Sequence, residues 1–305
     1  MRRTEETSEK CNMCGGLSAL FTRIAGERGL FYRCSACGLI WLAQDEQPID
    51  DRAHYDTGYY ADHYTGRKNT HEAFADRLPF IERYVPAGAS ILEVGAAAGD
   101  FLSVLDQQGF NVRGVELSAR AVALAKKDHG YKLFHGTLFE AKFPDGSFDA
   151  IVSYHVLEHV PDPQALLREM YRVLKPGGSV VIEVPHATGI DARFSRRLLK
   201  SILDYPHHRF AFSPRVLRLM ARTAGFRVVT VQASPSFLLT QAARRLLGYG
   251  MTKEKTAHQK SVNTHKIAKK SAKSPLRAKS CSIFYRLAGC LLPGMRLTII
   301  ARKDT

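Results

Sequence analysis

Between Asn69 and Gln232 the chain alternates short apolar runs, bounded by Gly, Pro and Asp, with stretches of helical periodicity, and that alternation leaves few folds open. The runs are Ser90 to Val94, Asn111 to Glu116, Lys132 to His135, Asp149 to Ser153, Ser179 to Val184 and Arg227 to Gln232. Helices fit Asn69 to Tyr84 ahead of Pro86, Phe101 to Gln108, Ser118 to His129, Pro163 to Leu174 and Ser213 to Ala224, with Ser118 and Ser213 as N-caps. Strand followed by helix, repeated, predicts a parallel sheet covered on both faces. Such a sheet binds ligands beyond the carboxyl ends of its strands, where strand order reverses, so the functional residues are expected just after the strands.

The first of those turns reads Glu93-Val94-Gly95-Ala96-Ala97-Ala98-Gly99-Asp100. Its small residues let the backbone approach a ligand closely before a helix opens, as nucleotide-binding loops do. The G-x-x-x-G spacing departs from both G-x-G-x-x-G and the Walker loop, which argues against a dinucleotide or a nucleoside triphosphate. The second strand ends at Glu116, about twenty residues further on, where a carboxylate can accept two hydrogen bonds from a ribose.

Taken in order, the motifs resemble those of the class I S-adenosylmethionine (SAM) dependent methyltransferases. They are Ile91 to Phe101, Glu116, Phe148-Asp149-Ala150-Ile151-Val152, Val156-Leu157-Glu158-His159-Val160-Pro161-Asp162-Pro163, Arg172-Val173-Leu174-Lys175-Pro176-Gly177-Gly178, and Ala224-Gly225-Phe226. The resemblance implies an α/β fold with a Rossmann-like seven-stranded sheet and methyl transfer from SAM. It also implies cofactor contacts at Glu93, Gly95, Ala96, Gly99, Glu116, Leu117 and Ser153, with Glu93, Gly95 and Gly99 around the methionine part and Glu116 on the ribose. Many relatives place an Asp after the third strand for the adenine amino group; this chain has Thr137-Leu138 there, and no side chain is carried over. The family's sheet closes with an antiparallel seventh strand, for which Met295 to Ala301 is the candidate.

Methyl transfer from a sulfonium is an in-line displacement that asks for alignment and a deprotonated acceptor, so a general base is the group to look for. After the fourth strand, His155, Glu158 and His159 stand at i, i+3 and i+4, which predicts one helical face. Ubiquinone-pathway O-methyltransferases resemble this stretch with E-x-x-E-H, which binds a divalent metal beside a catechol; here His155 replaces the first acid. The same H-x-x-E-H string occurs in inverted zinc peptidases, a reading that Pro161 and Pro163 interrupt. A second cluster, Asp204 to Ser213, is expected to arch over the acceptor pocket, and relatives carry a similar His-x-x-x-Phe-Ser, matched by His208, Phe212 and Ser213. His208 is the preferred base, with His155 and His159 the other candidates. The fourth strand lacks the Asp/Asn-Pro-Pro-aromatic element of amino-directed nucleic-acid methylases, which favours an oxygen or carbon acceptor.

Ahead of this core stand two C-x-x-C knuckles, Cys11/Cys14 and Cys34/Cys37, separated by the nineteen residues Gly15 to Arg33. Four thiolates at this spacing suit a closed, structural tetrahedral Zn²⁺ and leave no open position for catalysis; paired spacing argues against disulfides. Leu17 to Ile24 and Leu30 to Arg33 read as strands of a ribbon too short to hold a core without its metal. The predicted organisation is therefore a zinc ribbon over 1–45, an aromatic linker over 46–68, the SAM-binding core over 69–232, a helical and basic insertion over 233–294 and the final strand over 295–305. The linker's four tyrosines, Tyr55, Tyr59, Tyr60 and Tyr64, suit either an entrance lining or glue between modules. Cys281 and Cys290 are isolated in sequence.

The chain carries a net charge of +15, over half of it between Met251 and Ser280, where nine basic residues face one acid. With almost no large apolar residue, that stretch is expected to be a mobile loop that attracts an anionic membrane surface or, less favourably, RNA. No apolar run reaches the ~18 to 20 residues of a membrane span and the first residues lack a secretory signal, so the expected location is cytoplasmic, with peripheral contact at the inner membrane face through 251–280. The function this predicts is SAM-dependent methyl transfer to a small-molecule or glycan acceptor, with oxygen preferred. The alternatives are an rRNA or tRNA methyltransferase using the ribbon and lysine-rich loop, a sugar C-methyltransferase, and, last, a non-catalytic SAM-binding scaffold.

Overall fold

The computed structural model describes residues 9–24, 29–43, 74, 77–236 and 293–305. The aromatic linker, the basic stretch 251–280, Cys281 and Cys290 lie outside them. Four strands come first: β1 (Glu9–Lys10), β2 (Leu17–Ile24), β3 (Gly29–Cys34) and β4 (Ile40–Leu42). The alternating units follow as α1 (Leu78–Tyr84), β5 (Ser90–Val94), α2 (Asp100–Gln107), β6 (Asn111–Glu116), α3 (Ala119–His129), β7 (Phe134–His135), α4 (Leu138–Ala141), β8 (Phe148–Tyr154), α5 (Pro163–Val173) and β9 (Leu174–Pro185). The chain continues through α6 (Ile190–Phe194), α7 (Arg196–Leu203), β10 (Phe210–Ala211), α8 (Pro214–Thr223), β11 (Arg227–Pro235) and β12 (Pro293–Arg302).

Seven strands form one sheet in the order β11-β12-β9-β8-β5-β6-β7. β5 pairs in parallel with β6 on one side and β8 on the other, so strand order reverses at its carboxyl end. β12 runs antiparallel to both β11 and β9, as the family resemblance implies. The central parallel strands are largely apolar because helices cover both faces: Ala150, Ile151 and Val152 of β8 and Val181 and Val184 of β9 have no exposed surface. The helices lay matching stripes on them, Leu166, Leu167, Met170 and Val173 from α5, and Val216, Leu217, Met220 and Ala221 from α8. Side-chain caps start these helices: Asp162 accepts from the Ala165 N–H, Ser213 from Val216 and Ser118 from Ala121. No helix among the described residues is long and apolar enough to cross a membrane.

The N-terminal ribbon is not a separate bead. Its sheet runs β1-β2-β3-β4-β10, and the last strand comes from the core, with Phe210 opposite Trp41 and Ala211 opposite Ile40. The ribbon side chains Tyr32, Leu39 and Trp41 share one buried cluster with Phe212, Val216 and Leu217 of the core. Phe31 and Ile40 share another with Ala192, Ile202, Leu203 and Ala211. Full burial of residues of this kind is worth about 1.5–3 kcal/mol each, enough to fix the ribbon against the core. The hairpin also touches the arch, since a Cβ on Gly29 would stand 2.8 Å from the Tyr205 ring.

Candidate active site and thiolate cluster

The crevice forms where strand order reverses. Gly95 leaves β5 at φ +77°, and a Cβ there would lie 2.4 Å from the Val156 side chain, so only glycine fits. Ala97 and Gly99 also have positive φ, and Gly99 opens α2. Glu116, buried at the end of β6, fastens this loop: its two oxygens accept the N–H groups of Ala97 and Ser118, both at 2.9 Å. Ala96 lies buried beside it, and its N–H, like that of Gly95, donates to the Val115 carbonyl. Buried Glu93 keeps one carboxylate oxygen without a hydrogen-bond partner. Burial pushes its carboxyl well above the usual range, with Arg77 opposing. An orphaned acceptor beside a loop of glycines and alanines fits the ammonium of an amino-acid moiety, as SAM carries.

Two of the expected cofactor contacts look different in three dimensions. The Ser153 hydroxyl is buried and donates to the Val94 carbonyl at 3.3 Å, so the side chain stitches β8 to β5 inside the sheet. Leu117 is half-buried, and its carbonyl lies 3.1 Å from His135 Nε2. Thr137, which stands where many relatives have an Asp, forms a capping box with Glu140 at the start of α4.

The three residues expected on one helical face do not share one. Residues 155–160 form a turn, in which the His159 N–H donates to the Val156 carbonyl at 2.9 Å. His155 sits at φ +56°, a strained conformation for a non-glycine residue that costs on the order of 1–3 kcal/mol. What offsets the strain is a set of contacts from two carboxylates. The His155 N–H donates to the Glu183 carbonyl, Nδ1 lies 3.0 Å from Glu158 Oε1 and Nε2 lies 3.3 Å from Glu183 Oε1. A ring between two carboxylates satisfies both only when both nitrogens carry protons. Burial works against the charge, but hydrogen bonds from Glu158 and Glu183 raise the His155 pKa to about 9. The two carboxylates thus favour the protonated ring, which suits His155 poorly to the base role expected of it.

Glu183 ties this imidazolium to two arginines, with Arg77 at 3.0 Å and Arg296 at 3.5 Å. Burial opposes its charge, yet Arg296, His155 and Arg77 hold its carboxyl well below the usual range. Arg77 lies over the Tyr154 ring, 4.0 Å from its centroid. Glu183, Arg77 and Arg296 were not anticipated. One signal for them stands in the sequence: a lone acid within the otherwise apolar run Val180 to Val184.

His159 turns the other way, toward the arch between α7 and β10, and meets His208 edge to face with ring centroids 4.7 Å apart. Its Nδ1 is 3.1 Å from the His207 carbonyl, and Nδ1 of His208 is 2.6 Å from the Ile202 carbonyl. Each carbonyl requires an N–H, so in each neutral ring the lone pair sits on Nε2. Burial pushes His159 down to about 4; the nearby Glu158 charge opposes this and those of His208 and His155 add to it. Beneath the pair, Glu158 is fully buried, and its Oε2 has no hydrogen-bond partner. Glu158, His159 and His208 each bring one potential ligand atom within 4.8 Å of the others.

In the ribbon, the four expected ligands Cys11, Cys14, Cys34 and Cys37 converge, all Sγ atoms lying within 4.8 Å of one another. The Cys11–Cys37 and Cys14–Cys34 sulfur pairs are 3.6 and 3.5 Å apart. Zn–S bonds of about 2.3 Å in a tetrahedron put sulfurs about 3.8 Å apart, so the donor set fits zinc. Backbone N–H groups of Cys37 and Leu39 point at Sγ of Cys34 and Cys37, each at 3.4 Å, as thiolate ligands require.

Comparison with known proteins agrees with the fold. Residues 66–231 match the family described as "Methyltransferase domain". The chain is similar to the ubiquinone biosynthesis O-methyltransferase of Ralstonia nicotianae, 30% identical over 171 residues that cover 52% of this chain and 71% of that protein. A 38% identity over 104 residues, 32% of this chain and 45% of the relative, links it to demethylmenaquinone methyltransferase of Bacillus licheniformis. Among solved structures, a SAM dependent methyltransferase from Archaeoglobus fulgidus superposes with a TM-score of 0.54 at 19% identity, covering 81% of this chain and all of that one. Phosphoethanolamine N-methyltransferase 2 of Haemonchus contortus in complex with SAM superposes at 0.53 and 18% identity, covering 97% of this chain and 70% of that one. At these identities the structural likeness concerns the fold.

Two outcomes are expected. Glu116→Ala removes a charged acceptor from two backbone N–H groups and should weaken SAM binding about tenfold or more by calorimetry, with far-UV circular dichroism unchanged; unaltered affinity would refute the assignment. His155 has its pKa raised from the ordinary 6.5 to about 9, so its contribution to stability is complete below about 6.5 and lost as pH rises through about 9. The difference in melting temperature between the wild type and His155→Gln should accordingly shrink between pH 7 and 10.

Proposed function

The chain belongs to the methyltransferase-domain family of SAM-dependent methyltransferases, and from that premise we propose that it methylates an oxygen of a small-molecule acceptor, with His208 as the general base. The observation that carries this reading is the His208 ring itself. It is held through Nδ1 by the Ile202 carbonyl at 2.6 Å, which leaves Nε2, 4.0 Å from Asp204 Oδ2, as the ring's acceptor, in a cluster with Glu158 and His159. The names of the relatives favour oxygen and a hydroxylated ring, since several are ubiquinone biosynthesis O-methyltransferases.

SAM, when bound, supplies an electrophilic methyl group on a sulfonium. The loop from Gly95 to Gly99, fastened by Glu116, holds that donor against the end of β5, and Glu93 receives its ammonium. His208 Nε2 would take the proton of the acceptor hydroxyl as the oxygen bonds the methyl carbon in line and the carbon–sulfur bond breaks, the donor leaving as a neutral thioether. The buried Glu158 carboxylate stabilises the imidazolium that forms, which is the favourable half of a buried ion pair. His155 stays protonated throughout and contributes a fixed positive charge rather than a proton acceptor. The four ribbon cysteines hold a structural Zn²⁺ that supports the arch from outside the chemistry.

Transfer of labelled methyl from SAM into a fractionated bacterial extract tests the acceptor class. Label that survives nuclease in the small-molecule or lipid fraction is the expected result, and label lost to nuclease would make nucleic acid the acceptor. On the identified acceptor, His208→Ala should lower kcat by about 10²–10⁴-fold with SAM affinity unchanged. A variant with wild-type turnover across the pH range would remove His208 from the base role.

A further inference from the structure

The helices that carry the roof of the histidine pair have an unusual outer side. On α6 and α7, Arg193, Phe194, Arg196, Arg197 and Lys200 are all exposed, and Phe194 keeps 80% of its surface in solvent. On α7, Arg196, Arg197 and Lys200 recur at three- and four-residue spacing, which places them along one stripe, and Arg193 stands just ahead of it on α6, across the extended residue Ser195. No acid occurs from Ala192 to Leu203, and the side chain of none of the four cations has a hydrogen bond or ion pair among the described residues. The opposite side of α7 is spent inside the protein, where Ile202 and Leu203 pack against Phe31 and Ile40 of the ribbon. Two short helices thus lie on the fold with four exposed cations unpaired among the described residues and one exposed aromatic ring beside them.

The chain's own remaining segment does not suit this face. Residues 237–292 depart after Ser236, whose hydroxyl is 2.6 Å from Asp191 on α6, and return just before Met295, which packs with the α6 and α7 cluster. They carry twelve basic residues and one acid, so like charge opposes their covering the stripe. What complements it is anionic and presents an apolar layer to the ring. We propose that the outer face of α6 and α7 docks on an anionic lipid bilayer, with Phe194 entering the headgroup–acyl boundary and Arg193, Arg196, Arg197 and Lys200 meeting lipid phosphates. Interfacial helices bind in this way, through apolar insertion plus about 1 kcal/mol of attraction per basic residue near the surface. Single-stranded RNA fits less well, because its grooves offer a succession of stacking aromatics and this stripe has one.

Vesicle flotation with the full chain tests the proposal, using phosphatidylcholine alone and phosphatidylcholine mixed with phosphatidylglycerol. The wild type should float with the mixed vesicles only. The double variant Arg196→Glu/Arg197→Glu should lower the apparent partition at least about tenfold while SAM affinity stays at the wild-type level, which shows that the fold survives. The chain's single tryptophan, Trp41, is buried, so in Phe194→Trp the new indole reports directly: its emission should shift to the blue with the mixed vesicles, also when 251–280 is deleted. Three results would overturn the proposal: no flotation of the wild type, a charge-reversed variant that binds as tightly as the wild type, or stripe-dependent binding to an RNA oligonucleotide without binding to vesicles.

Discussion

Residues 209–212 are bonded on every side, and the active-site architecture depends on that. The Arg209 and Phe210 N–H groups both donate to the Glu158 carbonyl, at 2.8 and 3.2 Å. On the opposite edge the Leu42 N–H of the ribbon donates to the Arg209 carbonyl at 2.8 Å. One residue further, the Phe212 carbonyl accepts from Ala187, just beyond the end of β9. A strand of two residues has little stability of its own. Here it holds because the ribbon, the Glu158 turn and the end of β9 each satisfy part of its backbone, and it in turn fixes the segment that ends in His208. The ribbon thereby acquires a purpose beyond its own fold: without β4 beside it, the arch would lose one edge of its hydrogen bonding and the cover over Ile202 and Leu203.

Charge is distributed around the crevice so that neighbouring histidines have different protonation states. His155, clamped by Glu158 and Glu183, is held as an imidazolium, whereas His159, one turn away, is held neutral by burial. The two carboxylates are buried, which is costly unless each is paired. Glu183 is paired with His155, Arg77 and Arg296; Glu158 is paired with His155 through one oxygen, and its second oxygen is buried without a hydrogen-bond partner. Under the proposed mechanism, a positive charge on His208 during turnover would lie in the same cluster as this carboxylate. The strained backbone at His155 is consistent with such a role, since the surrounding contacts hold a conformation that the residue would not adopt alone.

The sheet was legible in the sequence because its signals are local. The runs Ser90 to Val94 and Asn111 to Glu116 coincide with β5 and β6, and the hydroxyls of Ser118 and Ser213 cap the helices they precede. The spacing of His155, Glu158 and His159 misled because three residues at i, i+3 and i+4 also fit a tight turn, and spacing alone does not report a positive φ. The pairing of His155 with Glu183 joins the ends of adjacent parallel strands, and that of Trp41 with Phe210 joins segments 169 residues apart. Two residues of strand have too little pattern to announce a partner, so the fusion of ribbon and core emerges only in three dimensions.

The central claim is that the ribbon and the acceptor arch are one mechanical unit, and hydrogen exchange tests it directly. Amide exchange would be followed in the full chain loaded with zinc and again after a mercurial reagent has titrated the four ribbon cysteines. The account predicts that the amides of Leu42, Arg209 and Phe210 lose protection together with β2 and β3, while those of Ala97 and Ser118 in the cofactor crevice keep theirs. Arch amides that stay protected while the ribbon exchanges freely would contradict it.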